Sequence, residues 1–173
     1  MKSTHYASTP NPGHISFEIF CSQIRNIDIK LIQNVLATTY RNMLDVILGG
    51  ELESPQDAFN SKRNQYNADI LLSYLLKTKK ADTALWIIKK DLYCKDMNFI
   101  FGYATFYRGA VLSVCRLSTS ELIEKEAIHE VGHVLGLKHC SNNCVMQFSN
   151  SLSEVKTKPL NLCKSCLRKI NLI

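Results

Sequence analysis

HEVGHVLGLKHCSNNC, residues 129–144, sets three histidines, a glutamate and two cysteines within sixteen positions. His129 and His133 are four apart, so on a helix their rings leave one face and reach a single ion. Glu130 falls beside that ion, where a carboxylate can take a proton from water without being a ligand. Gly136 permits the turn that brings His139 back as a third ligand. The open question is Cys140, directly after the last histidine. Consecutive side chains diverge by about 100° on a helix and about 180° on a strand, which places His139 and Cys140 poorly for sharing one ion. Cys140 therefore needs other partners, and Cys144 with the C-x-x-C pair Cys163 and Cys166 supplies them. Four thiolates make a closed, structural zinc site, whereas three histidines leave a position open for water. The chemistry implied is hydrolysis, with Glu130 and a zinc-bound water as the working pair.

Working outward, Ser118 and Glu121 have the spacing of a capping box, followed by apolar positions at Leu122, Ile123, Ala127, Ile128, Val131, Val134 and Leu135. This predicts a helix that carries the first two histidines and ends at Gly136. Before it, two apolar runs at 98–105 and 110–117 flank Arg108 and Gly109 and read as a hairpin. Its aromatic residues, Phe99, Phe101, Tyr103, Phe106 and Tyr107, read as packing residues. HISFEIF (14–20) alternates as a strand with Ile15, Phe17 and Ile19 on one face, Asp28 reads as an N-cap, and Leu31, Ile32, Val35, Leu36 and Tyr40 recur at helical spacing. MLDVIL (43–48) reads as a strand closed by Gly49 and Gly50. Residues 51–66 are too polar and irregular to predict a packed element. A helix from about Asn67 carries Leu71, Leu72, Leu75 and Leu76, and TALWII (83–88) reads as a buried strand. The βαβ order predicts parallel pairing of the first three strands, with one hairpin strand antiparallel at the edge. The tail after Gly136 is short, polar and rich in cysteine, and is expected to be irregular.

A chain of 173 residues fits one domain, and 46% hydrophobic with 21% charged residues excludes wholesale disorder and fibrous architectures. The opening MKSTHYASTPNPG lacks the apolar run of a secretory signal, and no segment is long and apolar enough to span a bilayer. The expected compartment is the cytoplasm, where seven cysteines point to metal before disulfides. A net charge of +6 raises nucleic acid as a partner, but no basic stripe interleaved with aromatics accompanies it. Lys156, Lys158, Lys164, Arg168 and Lys169 instead read as balancing a tetrathiolate zinc. His5 and His14 lack ligand spacing, and Cys21, Cys94 and Cys115 read as structural thiols.

The runs HEVGHVLGLKHC, CVM and CKSC, behind a hairpin and a helix, resemble the archaemetzincins, a branch of the metzincin zinc metalloproteases. A metzincin consensus followed at once by four cysteines is peculiar to that family. The resemblance implies an α/β (α+β) fold: a twisted, mixed five-stranded sheet with a backing helix and an active-site helix, then a zinc-stapled C-terminal subdomain. One compact catalytic domain would comprise residues 1–136 and a small part, 137–173. It also implies two zinc ions. The catalytic ion would sit on His129, His133 and His139, with Glu130 as general base and Met146 as the Met-turn, and the structural ion on Cys140, Cys144, Cys163 and Cys166. The substrate would be an extended peptide or protein tail along the hairpin edge, the chain a monomer without membrane or nucleic-acid partners. The family pattern places four residues between the first two cysteines, where this chain has SNN, so a shift of Met146 is expected. No tyrosine follows the Met-turn, and Lys138 is the candidate for oxyanion stabilisation. The second reading is a non-proteolytic zinc-dependent binding module, against which an intact Glu130 argues.

Overall fold

HISFEIF forms the first strand, β1 (Ile15–Cys21), in the computed structural model, which describes residues 14–22, 27–41 and 43–170. Phe17 and Ile19 are buried on one face and Phe20 on the other. Asp28 caps α1 (Ile29–Thr39) as expected, its carboxylate accepting from the N–H groups of Lys30 and Leu31. β2 (Leu44–Glu51) then pairs parallel with β1. Gly49 and Gly50 were expected to close this strand, but it runs through both. Ile19 faces Leu48 and Phe20 faces Gly50, which leaves Gly49 as the extra residue of a bulge. A side chain at position 49 would strike the Phe20 ring, and Gly50 holds φ at +93°.

The polar stretch 51–66 is folded after all. One 3-10 turn (Gln56–Ala58) leads into a hairpin of β3 (Phe59–Asn60) and β4 (Gln65–Asn67). Polar bonds hold it in place of an apolar period. The Gln65 amide donates to Asp91 and to the Asn98 carbonyl, and the Arg63 guanidinium donates to Gln65 and to the carbonyls of Met97 and Asn98. Asn67 then caps α2 (Ala68–Thr78), and β5 (Thr83–Ile88) is buried at every residue. β6 (Leu92–Cys94), β7 (Met97–Ile100), β8 (Gly102–Thr105) and β9 (Gly109–Ser113) follow. The run expected as one strand at 98–105 is therefore split at Phe101 between two sheets.

The larger sheet has the order β2-β1-β5-β9-β8, parallel except for β8, which is antiparallel at the edge. A second, four-stranded sheet, β3-β4-β6-β7, was not legible in the sequence. Alternation along the larger sheet divides the core. Leu85, Ile87, Ala110 and Leu112 pack with α1 and α3 (Ser120–Val134), while Ala84, Trp86, Ile88 and Val111 pack with α2 on the opposite face. The mixed five-stranded sheet matches the expected fold, with three long helices where the resemblance implied two.

Thr119, not Ser118, caps α3: its hydroxyl accepts from the Leu122 N–H, and Glu121 pairs with Lys125 instead of closing a box. At the other end Gly136 takes φ +91°, while the Leu137 and Gly136 N–H groups bond the Gly132 and His133 carbonyls. The tail is more regular than expected. It forms α4 (Leu152–Thr157) and α5 (Lys164–Lys169), and Leu137, Val145, Met146, Val155, Leu162 and Ile170 join the core under α1 and α3. Among the described residues no helix is long and apolar enough to cross a membrane.

Candidate metal and catalytic site

α3 delivers His129 and His133 on consecutive turns, and the Gly136 reversal returns His139 to them. The nearest ring nitrogens of the three lie within 4.8 Å of one another. His129 Nδ1 lies 2.9 Å from the Val145 carbonyl and His133 Nδ1 lies 2.7 Å from the Leu137 carbonyl. A carbonyl only accepts, so both Nδ1 atoms carry the proton and both Nε2 atoms present lone pairs. Those two Nε2 atoms face each other at 3.0 Å. Two lone pairs at that separation repel unless a cation lies between them. Burial lowers the pKa of all three histidines, which keeps them neutral and able to ligate.

Glu130, the residue after His129, lies against the edge strand and lines the same cavity as the histidines. A side chain on Gly102 of β8 would overlap its carboxylate, so the missing Cβ is what admits it. Burial, then the charge of Glu126, push the Glu130 carboxyl up to about 8, with Lys158 pulling the other way. A cavity of about 570 Å³ lies between β8 and α3, lined by the three histidines, Glu126, Glu130 and Lys138. Phe106 and Phe148 stand at its rim, 42% and 52% exposed, their rings 6.4 Å from that of His133 and 5.0 Å from that of His139. Phe106 and Tyr107 were expected to be packing residues, but Tyr107 is 69% exposed. Lys138, the oxyanion candidate, is an exposed residue of the lining.

The cysteines form a separate cluster, with Cys140 Sγ 3.8 Å from Cys163 Sγ and Cys144 Sγ 3.7 Å from Cys166 Sγ. Zinc–sulfur bonds of about 2.3 Å set tetrahedral edges of about 3.8 Å, which these two separations match, and all four sulfurs lie within 4.8 Å of one another. Against the cost of burial, the Cys166 backbone and the Asn142 side chain help bring the Cys163 thiol down to about 6, while burial first pushes Cys166 up. Four sulfurs this close do not all ionise without a cation. The three-residue loop SNN closes around this cluster. Met146 is fully buried against Gly132, where a side chain would overlap its sulfur.

Lys158 does not face the thiolates as the sequence suggested. It is buried in an ion pair with Glu126, Nζ to Oε1 2.6 Å, and burial raises the Glu126 carboxyl against the pull of that lysine. His14 is half-buried and His5 lies outside the described residues; Cys21, Cys94 and Cys115, expected as structural thiols, stand apart from both clusters, the first two half-buried and Cys115 exposed instead of packed. Sequence reasoning missed Gly102, Val145 and Glu126, and assigned Lys158 to the wrong cluster. The single signal for any of them was Glu126, one helical turn before Glu130.

The model of peptidase family M54 matches residues 15–172. The chain belongs to that family. It is 47% identical over 120 residues to the archaemetzincin of Nanoarchaeum equitans, covering 69% of this chain and 71% of that one. The archaemetzincin of Archaeoglobus fulgidus is 50% identical over 119 residues, 65% of this chain and 72% of the relative. The crystal structure of the Archaeoglobus fulgidus archaemetzincin complexed with malonate superposes with a TM-score of 0.81 at 38% identity, over 90% of this chain and 99% of that one. That of Methanopyrus kandleri gives 0.84 at 33% identity, over 94% and 97%. As an M54 peptidase of the archaemetzincin type, the chain is a zinc-dependent metallopeptidase acting on peptide substrates. Both donor sets fit that metal: imidazole nitrogens with outward lone pairs in one, four sulfurs within 4.8 Å of one another in the other.

Proposed function

We propose that the archaemetzincin hydrolyses peptide bonds with two zinc ions: a catalytic one held by His129, His133 and His139, and a structural one held by Cys140, Cys144, Cys163 and Cys166. The observation that carries this is the pair of facing Nε2 lone pairs beside a buried carboxylate at the floor of an open cleft. When bound at the histidines, zinc supplies a Lewis acid that acidifies water and polarises the scissile carbonyl. Glu130 is the general base: a carboxyl whose affinity for protons is raised by burial accepts one from water and returns it to the departing amine. Met146 packs under α3 as the Met-turn.

The substrate is an extended chain paired with β8. The Ser113 N–H donates to the Phe101 carbonyl, so by the alternation of an antiparallel pair Phe101 and Tyr103 bond toward β9. Gly102 and Ala104 then turn their N–H and C=O groups outward, over Glu130 and the histidines. A peptide added there acquires main-chain bonds and a fixed register over the site. Phe106 and Phe148 flank it and limit the access of bulk water.

Residues 1–136 and 137–173 form one catalytic domain, the second part stapled by the cysteines. It works as a monomer in a compartment that keeps thiols reduced, such as the cytoplasm. Digestion of a peptide library by wild type and Glu130→Ala, with zinc measured on both, tests the proposal. The variant should keep two zinc ions and lose cleavage. If wild type with two zinc ions cuts nothing, the hydrolytic reading fails.

A further inference from the structure

The side chains of Lys158 and Glu126 are 1% and 3% exposed. Among the described residues theirs is the one ion pair buried on both sides, since Arg116–Asp91 and Lys125–Glu121 each keep a partner near the surface. Taking two charges out of water is costly, and an apolar pair of similar volume is often as stable or more so. Such a pair calls for a reason other than stability, and its surroundings offer one.

Glu126 precedes His129 by three residues on α3. Lys158 opens a segment that runs to Cys163 and is fastened at both ends. Lys158 holds Glu126, while the Cys163 N–H donates to Cys144 Sγ at 3.2 Å and its sulfur lies 3.8 Å from Cys140 Sγ. Between these points the Asn161 carbonyl accepts from the Val145 N–H at 3.0 Å. The Val145 carbonyl in turn accepts from His129 Nδ1 at 2.9 Å. Lys158 Nζ lies 3.4 Å from that same nitrogen; an ammonium has no lone pair to accept the ring proton, which leaves Val145 as the acceptor.

The geometry points to Lys158 and Glu126 as positioning residues of the histidine site. Their ion pair clamps residues 158–163 against α3 and, through Asn161 and Val145, fixes the ring of His129. This rests on the reading of the three histidines as a metal site.

Cobalt(II) loaded into the full-length protein tests it: thiolate charge-transfer bands report the cysteine site, and with zinc in the cysteine site and cobalt(II) in the other the ligand-field bands report the histidine site alone. Chelator competition gives each affinity. Lys158→Met is compared with Lys158→Met/Glu126→Leu, which leaves no unpaired buried charge and so keeps folding intact. Both should lose about 10- to 100-fold in cobalt affinity at the histidine site, with altered ligand-field bands, unchanged charge-transfer bands, and a larger effect on kcat than on KM. Lys158→Arg, which keeps the ion pair, should retain most of the wild-type affinity. Wild-type histidine-site bands and affinity in the double variant overturn the clamp and leave the metal reading standing. Equal loss at both sites reduces the pair to general stability and also overturns it. No histidine-site signal in wild type overturns the clamp and the metal reading together.

Discussion

Glu130 reaches the cleft because Gly102 has no side chain, which makes this edge-strand glycine a determinant of where the proposed base sits. Gly102→Ala should push the carboxylate aside. A displacement near 1 Å at a reacting group costs about 100-fold in rate, so kcat should fall by about that factor while zinc content holds. Steady-state kinetics with metal analysis checks this. The same carboxyl makes stability depend on pH in the metal-free protein. Its folded pKa, about 8, lies above the ordinary 4.5. Its favourable contribution is therefore fully present below about 4.5 and is lost as pH rises through 8. The three histidines run the opposite way: their lowered pKa gives stability that is present above about 6.5 and lost on acidification. Glu130→Gln isolates the carboxyl. Denaturation of metal-free wild type and variant should show a stability gap that widens in the variant's favour between pH 4.5 and 8.

At the scale of elements, β8 is the strand along which the proposed peptide substrate lies. Its position was legible: the hairpin around Arg108 and Gly109 predicted an antiparallel edge. What the sequence could not tell is that the run splits at Phe101, because apolar residues on both sides of a sheet change look continuous when burial is all they report. The split gives β8 its short free edge. If peptides pair along it, N-methylation of substrate amides facing Gly102 or Ala104 should raise KM about fivefold per bond, as one main-chain hydrogen bond is worth about 1 kcal/mol. Methylation one residue on should change little. Kinetics on a methyl-scanned peptide separates these outcomes. The hairpin of β3 and β4 was illegible for another reason: it is held by Arg63, Gln65 and Asp91, polar groups whose bonding has no sequence period.

Across the whole molecule the two candidate metal clusters are joined by more than adjacency. His139 and Cys140 are neighbours in the chain, and Cys144-Val145-Met146 adds a second connection. It gives a sulfur to one cluster, a carbonyl to His129, and a carbonyl that accepts the Cys140 N–H at 2.9 Å. Cys140→Ser should accordingly lower activity and zinc content together and expose the tail, read as faster hydrogen exchange at Val155 and Ile170 while Leu85 and Ile87 stay protected. Full activity with both zinc ions retained would sever the coupling. The candidate ligands and base were determined by the sequence alone, because helical spacing, a glycine reversal and a C-x-x-C pair are local facts that fix which side chains can meet. The tertiary structure alone decided what orients them: the Val145 carbonyl on His129, the space that Gly102 leaves for Glu130, and the buried Lys158–Glu126 pair. These join residues far apart in the chain, and their partnership exists only once packing has excluded water around them.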